Sequence, residues 1–564
     1  MSSRERAARF KASHAFVSPL HLPPLLSGNF GELRGNHFHT GIDWKTEGRE
    51  GFPVLAATDG VVSRVKMSPW GYGNALYLEG ADGVTTVYAH LQSFAEDVQA
   101  WAVARTYARR TLGLDAKPLA TDSLSFHAGD TLGWSGNSGG SGGPHLHFEV
   151  RDTGTQRPLN PLDGWVDKPD TRRPVIGQLW VEGEGALAGF PRGADSIAVP
   201  SVFRLGVEAY DLLDGASNVC GIRTMHATLR HETNGHVLVD HRFEIDVLDF
   251  SVNKHMNAHA LYPVWQSQRD QVHRLHHVPS NRLPIYDTPS GSGWVRLEAG
   301  ESADLVVVVT DAAGNASQAT WRLVGGLTDL QGWQPRPAAS CPSLVESAPD
   351  AGGNWSSDSP YVPRVSWEAG TWFEPSRVGW ESDPRSLAGT LHPIDEPYLK
   401  PVSLSWSTWD AGKALPGSWH TMPAELAEDS KWVLCQRDDE GNVERTVVAN
   451  VDEGRVVGKV RHGGRWAMER DTLPPKLIPY HSGTPLVPNG DAVWFVEDAL
   501  SGVEEVSLRV DGRWARLVWD PKRSMLTYQA SDGMHPVGKR CVVEVEAKDA
   551  CGNKAMWSST LVWP

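Results

Sequence analysis

Apolar and polar residues alternate over short runs along most of the chain, which is the period of a strand with one buried face. Within residues 28–168 these runs are Val54–Ala57, Val61–Met67, Ala75–Leu78, Thr85–His90 and Leu146–Val150. Asp82-Gly83 separates two of them, and a pair that tolerates positive φ between alternating runs predicts a hairpin. The pattern therefore predicts a compact, mostly antiparallel β domain. One segment breaks it. Ser93 stands where a helix cap belongs, and Phe94–Leu112 follows with Val98, Trp101 and Tyr107 on one side. Arg105, Arg109 and Arg110 crowd its last turn, where cations suit the helix dipole. This predicts a helical insertion, about residues 92–126, between two strands.

Beyond residue 168 the strand pattern repeats. Asp170-Thr171 with Pro174, and Asp471-Thr472 with Pro474-Pro475, each open a stretch of alternating runs. The turn signature D-x-x-G-N occurs at Asp311–Asn315, Asp438–Asn442 and Asp549–Asn553, each time after an apolar run, and Asp211–Ile222 and Asp498–Val503 echo each other. Such spacing predicts tandem β-sandwiches. The expected division is an extension over 1–27, the β domain over 28–168, a sandwich over 169–325, a Trp-rich β domain with a weaker repeat over 326–468, and a sandwich over 469–564. Ten of the 24 tryptophans fall in 326–468, where core packing is the favoured use over stacking on sugar rings.

Composition narrows the class. A chain of 564 residues exceeds one hydrophobic core, and 40% apolar with 21% charged residues excludes wholesale disorder and coiled coil. A net charge of −15 argues against a nucleic-acid binder that works through a basic surface. No stretch approaches the ~20 apolar residues of a membrane span. Met1–Lys11 is basic, but Ala15–Leu26 is broken by prolines and makes a poor secretory leader; a missing leader, another export route and a cytosolic location all stay open. Cys220, Cys341, Cys435, Cys541 and Cys551 are scattered without a CxxC pair, so neither a disulfide framework nor a structural zinc site is expected. A pair across a terminal hairpin and two free buried thiols both fit Cys541 and Cys551.

Two short patterns carry chemistry: His39-x-x-x-Asp43 and His145-x-His147. Alone they mean little, since His236 with Asp240 and His37 with His39 repeat them. Context separates them. A strand from His145 puts His145 and His147 on one face. In front lies Ser138–Pro144, a loop with almost no side chains, and Tyr88-Ala89-His90-Leu91 ends an alternating strand. Two histidines and one aspartate hold zinc near +1 charge with a fourth position for water, whose pKa falls to about 7. Further histidines can take the water proton or stabilise the oxyanion.

In family order, residues 28–168 carry His39-Thr40-Gly41-Ile42-Asp43, Gly60-Val61-Val62, Gly71-Tyr72-Gly73-Asn74, Tyr88-Ala89-His90-Leu91, Gly129-Asp130 and Gly143-Pro144-His145-Leu146-His147-Phe148-Glu149. In these stretches the chain resembles peptidase family M23, the lysostaphin- or LytM-type zinc endopeptidases of bacterial cell walls. The resemblance covers under a third of the chain. It implies one zinc ion on His39, Asp43 and His147, with His90 and His145 as catalytic histidines that are not ligands. It also implies peptidoglycan peptides as substrate, and a periplasmic, envelope or secreted location. Tyr72, Asn74, Gly142 and Gly143 are read as lining the substrate groove, and the long insertion as a wall or lid beside it. The later modules resemble bacterial Ig-like domains, which would space the enzyme or dock it to an unknown envelope partner. Two rival readings are a non-catalytic binding or activating module of the same fold, and an Ig-array adhesin or scaffold with an accessory peptidase. Arg34 is read as solvated, His37 as a supporting or loop residue, His236 with Asp240 as structural, and His276-His277 as loose residues of a polar connection.

Overall fold

The computed structural model describes Glu5, Phe10 and residues 16–164, 170–183, 185–330, 333–335, 344–357, 362–382, 387–407, 431–438, 440–453, 455–535 and 537–563. Strand makes up 48% and helix 9%, the mostly-β architecture that the alternation predicts. The N-terminal module is built on a nine-stranded antiparallel sheet. Leu26–Gly28, Ile42–Lys45, His145–Asp152, Val84–Leu91, Asn74–Glu79, Gly60–Met67 and Leu114–Ala116 lie side by side in that order. The strand that comes last in sequence among these seven thus inserts beside one of the first. His147 stands opposite Asp43 on one side and Ala89 on the other.

Period-two alternation sorts the central strand. Leu146, Phe148 and Val150 pack into the module's core with Ile42, Trp44 and Tyr88. His145, His147, Glu149 and Arg151 take the opposite face. The helix runs Glu96–Arg109 and buries Val98, Trp101, Ala102 and Thr106. Ser93 is not its cap, contrary to the sequence reading. Ser93 and Phe94 pair with Trp134 and Gly133 as a short strand, and Ala95 precedes the helix with no side-chain cap bond. Burial of Phe94 favours the ladder there. Tyr107 turns away from the core, toward the last module.

The second module places a seven-stranded and a five-stranded sheet against one core, with Leu179 and Leu205 from one and Met225 and Leu305 from the other. Phe30, Leu33 and Phe38 of the N-terminal module belong to this same core, and Val247 of the second module belongs to the first core. The segment read as a polar connection is ordered and packed. It holds helices Met256–His259 and Tyr262–Gln268 and strand Val272–Arg274. His276 is buried, and His277 stacks on Tyr286 at 4.0 Å with its ring nitrogens 3.2 and 2.8 Å from the carbonyls of Thr288 and Asn281. Asp240 pairs with His226 on the adjoining strand at 2.8 Å, and its pairing with His236 as a motif has no chemical expression.

The Trp-rich region forms one ten-stranded sheet around Trp367, Trp372, Trp380, Trp406, Trp432 and Trp466. Trp409 and Trp419 lie outside the described residues. The last module sets two four-stranded sheets face to face over Trp494, Leu508, Leu526 and Val543. Each D-x-x-G-N turn closes alike, with the amides of Asp311, Asp438 and Asp549 donating to the carbonyls of Asn315, Asn442 and Asn553 at 3.1, 3.0 and 3.0 Å. Cys220, Cys435, Cys541 and Cys551 are free and buried, so Cys541 and Cys551 are unpaired thiols; Cys341 lies outside the described residues. Among the described residues no helix is long and apolar enough to cross a membrane.

Candidate metal centre

The central strand pairing brings three donor atoms together. His39 Nε2 lies 3.0 Å from His147 Nδ1 and 3.1 Å from Asp43 Oδ1, and His147 Nδ1 lies 2.8 Å from that same oxygen. Atoms bound tetrahedrally to zinc at about 2.0–2.1 Å sit roughly 3.3 Å apart, so this triangle fits one such ion. All three side chains are buried, with 5–6% exposure.

Hydrogen bonds on the far side of each ring select the nitrogen that faces inward. His39 Nδ1 donates to the Asn29 carbonyl at 2.8 Å, leaving Nε2 with its lone pair. His147 Nε2 donates to Glu149 at 2.9 Å, leaving Nδ1. Glu149 is fully enclosed and held in turn. Thr40 and Tyr72 hydroxyls donate to its Oε1 at 2.5 and 2.6 Å, and Arg151 donates to its Oε2 at 2.6 Å. Burial raises the pKa of Glu149, but Arg151 and His147 outweigh it and hold it well below the usual carboxylate range. Burial likewise pushes His147 down, and its bonds to Asp43 and Glu149 reverse this, raising it to about 9. Asp43 is held low against its own burial by the three histidines around it.

Arg34 is half-buried and paired, where the sequence reading has it solvated. Its guanidinium donates to Asp43 Oδ2 at 2.7 Å, so the ligand carboxylate has one oxygen toward the histidines and the other clamped. His37 is exposed and bonded to Asn36 at 3.0 Å.

His90 and His145 face the same cavity from two directions. Leu76 opposes Tyr88 and Asn74 opposes Leu91, so Ala75 faces both Ala89 and His90. That bulge turns His90 to φ 59°, a left-handed conformation that a non-glycine residue adopts only when held there. The His90 ring centroid consequently lies 4.8 Å from His145 and 5.8 Å from His147. The glycine-rich loop fixes both rings: His90 Nδ1 donates to the Ser138 carbonyl and His145 Nδ1 to the Gly143 carbonyl, each at 2.8 Å. Each Nε2 faces the cavity, and that of His145 lies 3.3 Å from Asp43 Oδ1.

The loop's glycines are needed away from the site. A Cβ on Gly139 would meet the Gly73 amide at 2.3 Å, whereas Cβ atoms on Gly142 and Gly143 would meet nothing within 4 Å. Asn74 ties the hairpin to the loop: its side chain donates to the Leu91 carbonyl at 3.1 Å and its amide to Ser138 Oγ at 2.9 Å. The Tyr72 hydroxyl is spent on Glu149. The last module also reaches this loop, where the Lys522 ammonium donates to the carbonyls of Asn137 and Ser141, the latter at 3.0 Å.

Glu149, Arg151, Arg34, Asn29 and Thr40 were not read as site residues from sequence. Glu149 and Arg151 share the His147 face by strand period, and that signal was legible. Asn29 and Arg34 lie in the connection between strands Leu26–Gly28 and Ile42–Lys45, whose path no local pattern specifies.

Comparison with known proteins bears on this module. Residues 37–103 match the model of peptidase family M23. Over 132 residues the chain is 36% identical to the DD-carboxypeptidase/endopeptidase Mpg of Neisseria meningitidis, which covers 23% of this chain and 24% of that protein. It is 31% identical over 124 residues to an uncharacterized metalloprotease of Haemophilus influenzae, covering 22% and 20%. A zinc-containing peptidase from Vibrio cholerae of known crystal structure is 26% identical, covering 28% of this chain and 41% of that one, with a TM-score of 0.20. The chain spans about a quarter of the length of the first of these curated relatives and less of the second.

Proposed function

We propose, from an N-terminal module with an M23 match and a His-Asp-His triangle, that this chain is a zinc-dependent endopeptidase acting on the peptide part of bacterial peptidoglycan. The observation that carries the reading is the convergence of three donor atoms within 3.1 Å of one another, each ligand braced from behind. His39, Asp43 and His147 hold the ion; zinc bound there supplies Lewis acidity that makes water nucleophilic near neutral pH.

The rest is the work of the chain's own groups. His90 and His145 have Nδ1–H committed to loop carbonyls, so Nε2 is the atom that accepts a proton from the attacking water. A ring that has taken this proton becomes a donor at Nε2, facing the oxyanion and the departing amine. The open side of Gly142 and Gly143 admits an extended peptide. The remaining modules space or dock the enzyme, in the cell envelope or outside the cell.

The test is metal content together with hydrolysis of purified peptidoglycan, for the parent and for His147→Ala. The reading expects about one zinc per parent chain and released peptides, both lost in the variant. Parent protein that binds zinc yet releases nothing would favour a binding module. Mass analysis of fragments from peptidoglycans of differing cross-bridge would then identify the bond.

A further inference from the structure

Away from the histidines, three carboxylates of the second module converge. Asp170 lies in the segment that leads into the module, Asp211 on the Val202–Leu212 strand, and Asp311 directly after the Ser302–Thr310 strand. One oxygen from each lies within 4.8 Å of the others. Asp211 has 0% exposure, and neither of its oxygens has a hydrogen-bond partner; Asp170 Oδ2 is buried without one too. The nearby cation, Arg172, donates to the Ala216 carbonyl at 3.2 Å instead. In such a place a carboxylate either meets a cation or gives up its charge by taking a proton.

The other oxygens explain how the group is held. Asp311 Oδ1 accepts the Gly314 and Asn315 amides at 2.7 and 2.9 Å, and Oδ2 accepts the Asn315 side chain at 2.8 Å. Asn315 also donates to the Asp170 carbonyl at 3.2 Å, and Asp170 Oδ1 accepts the Asp214 amide at 3.2 Å. The D-x-x-G-N turn does not need the cluster for its own stability. In the Trp-rich module Asp438 accepts the Asn442 amide at 2.8 Å, and among the described residues no carboxylate cluster surrounds it. The last module repeats the positions with Asp471, Asp498 and Asp549, but there backbone amides reach all three, such as Ser501 to Asp471 at 2.9 Å, Gly502 to Asp498 at 2.8 Å and Cys551 to Asp549 at 2.9 Å.

We propose that Asp170, Asp211 and Asp311 form a calcium site, distinct from the histidine site. Three carboxylates with no nitrogen or sulfur among them suit a hard cation, and calcium accepts irregular oxygen shells completed by carbonyls or water. Because Asp170 stands on the chain entering the module, the ion fastens that segment to the sandwich.

The test is calorimetric titration of calcium chloride into the full zinc-loaded chain, beside Asp211→Asn and Asp549→Asn, with thermal unfolding of each. Asp211→Asn keeps the shape and removes a buried like charge, so it folds without calcium, as circular dichroism would check. The expected result is saturable binding that raises Tm. Asp211→Asn weakens that binding at least about tenfold and loses the rise, and Asp549→Asn retains both. No binding up to about 10 mM, beyond the roughly 10⁻⁴–10⁻³ M range of weak calcium modules, would overturn the site. So would identical titrations of parent and Asp211→Asn, or a Tm that answers to pH alone, which would mean a shared proton occupies the cluster.

Discussion

The side chain of Asn29 and the backbone of Gly221 exchange two hydrogen bonds, each 2.7 Å long. The carbonyl of the same Asn29 receives the His39 ring at 2.8 Å, so the second module holds a candidate metal ligand through one intervening residue. Phe30, Leu33 and Phe38 bind the two modules further, as members of the second core.

A fragment ending at residue 164 is therefore expected to fail as an independent enzyme. Uncovering three large apolar side chains costs about 1.5–3 kcal/mol each, against a typical total stability of about 5–15 kcal/mol. Size-exclusion chromatography and zinc analysis should show an aggregating or metal-poor fragment. A monodisperse fragment with parental Tm and zinc content would contradict this.

Lys522, from the far end of the chain, holds the loop that carries the acceptors of His90 and His145. Tyr107 anchors the same module by donating to Asp532 at 3.0 Å. Lys522→Met should lower kcat roughly three- to tenfold through misplaced imidazoles while leaving zinc content intact. Unchanged kcat would show that the loop keeps its shape unaided.

Glu149 and His145 should separate cleanly. Glu149→Gln neutralises the carboxylate that braces His147 and turns an NH2 group toward Arg151, and should weaken zinc binding about 10–100-fold. It also strands the buried Arg151, at a cost of about 3–5 kcal/mol in stability. His145→Ala should keep the zinc and lose about 10²–10⁴-fold in kcat. Competition with a chromogenic chelator, run beside turnover, distinguishes the two; equal zinc affinities in both variants would count against the bracing role of Glu149.

Acid should weaken the second module. Burial, reinforced by neighbouring histidines, holds His241 down at about 3, below the 6.5 of a free imidazole. The unfolded chain takes up this proton as pH falls through about 6.5 and the folded module does not, so stability is lost on going down from there toward about 3. Both ring nitrogens of His241 lack partners, so His241→Phe forfeits no hydrogen bond. Between pH 7 and pH 5, denaturant titrations should show the parent losing about 2 kcal/mol more than the variant. Equal losses would mean that His241 does not titrate in this window.

Much of this protein is decided locally. Backbone geometry makes successive strand residues point to opposite faces, so the run from His145 to Arg151 already separates its apolar from its chemical side, and Glu149 could have been read with the histidines. Asp82-Gly83 and the three D-x-x-G-N turns are equally local. Alternation does not say which strands become neighbours, and only burial of the whole apolar surface sets His147 against Asp43, 104 positions away. The same holds for Ser93, drawn into a ladder by Phe94, and for His90, aimed by a bulge visible only once two strands are paired. Arg34 on Asp43, Asn29 on Gly221, Lys522 on Ser141 and the union of Asp170, Asp211 and Asp311 all join residues with no shared local pattern. Their positions follow from the packing of modules, a global balance that no window of sequence contains.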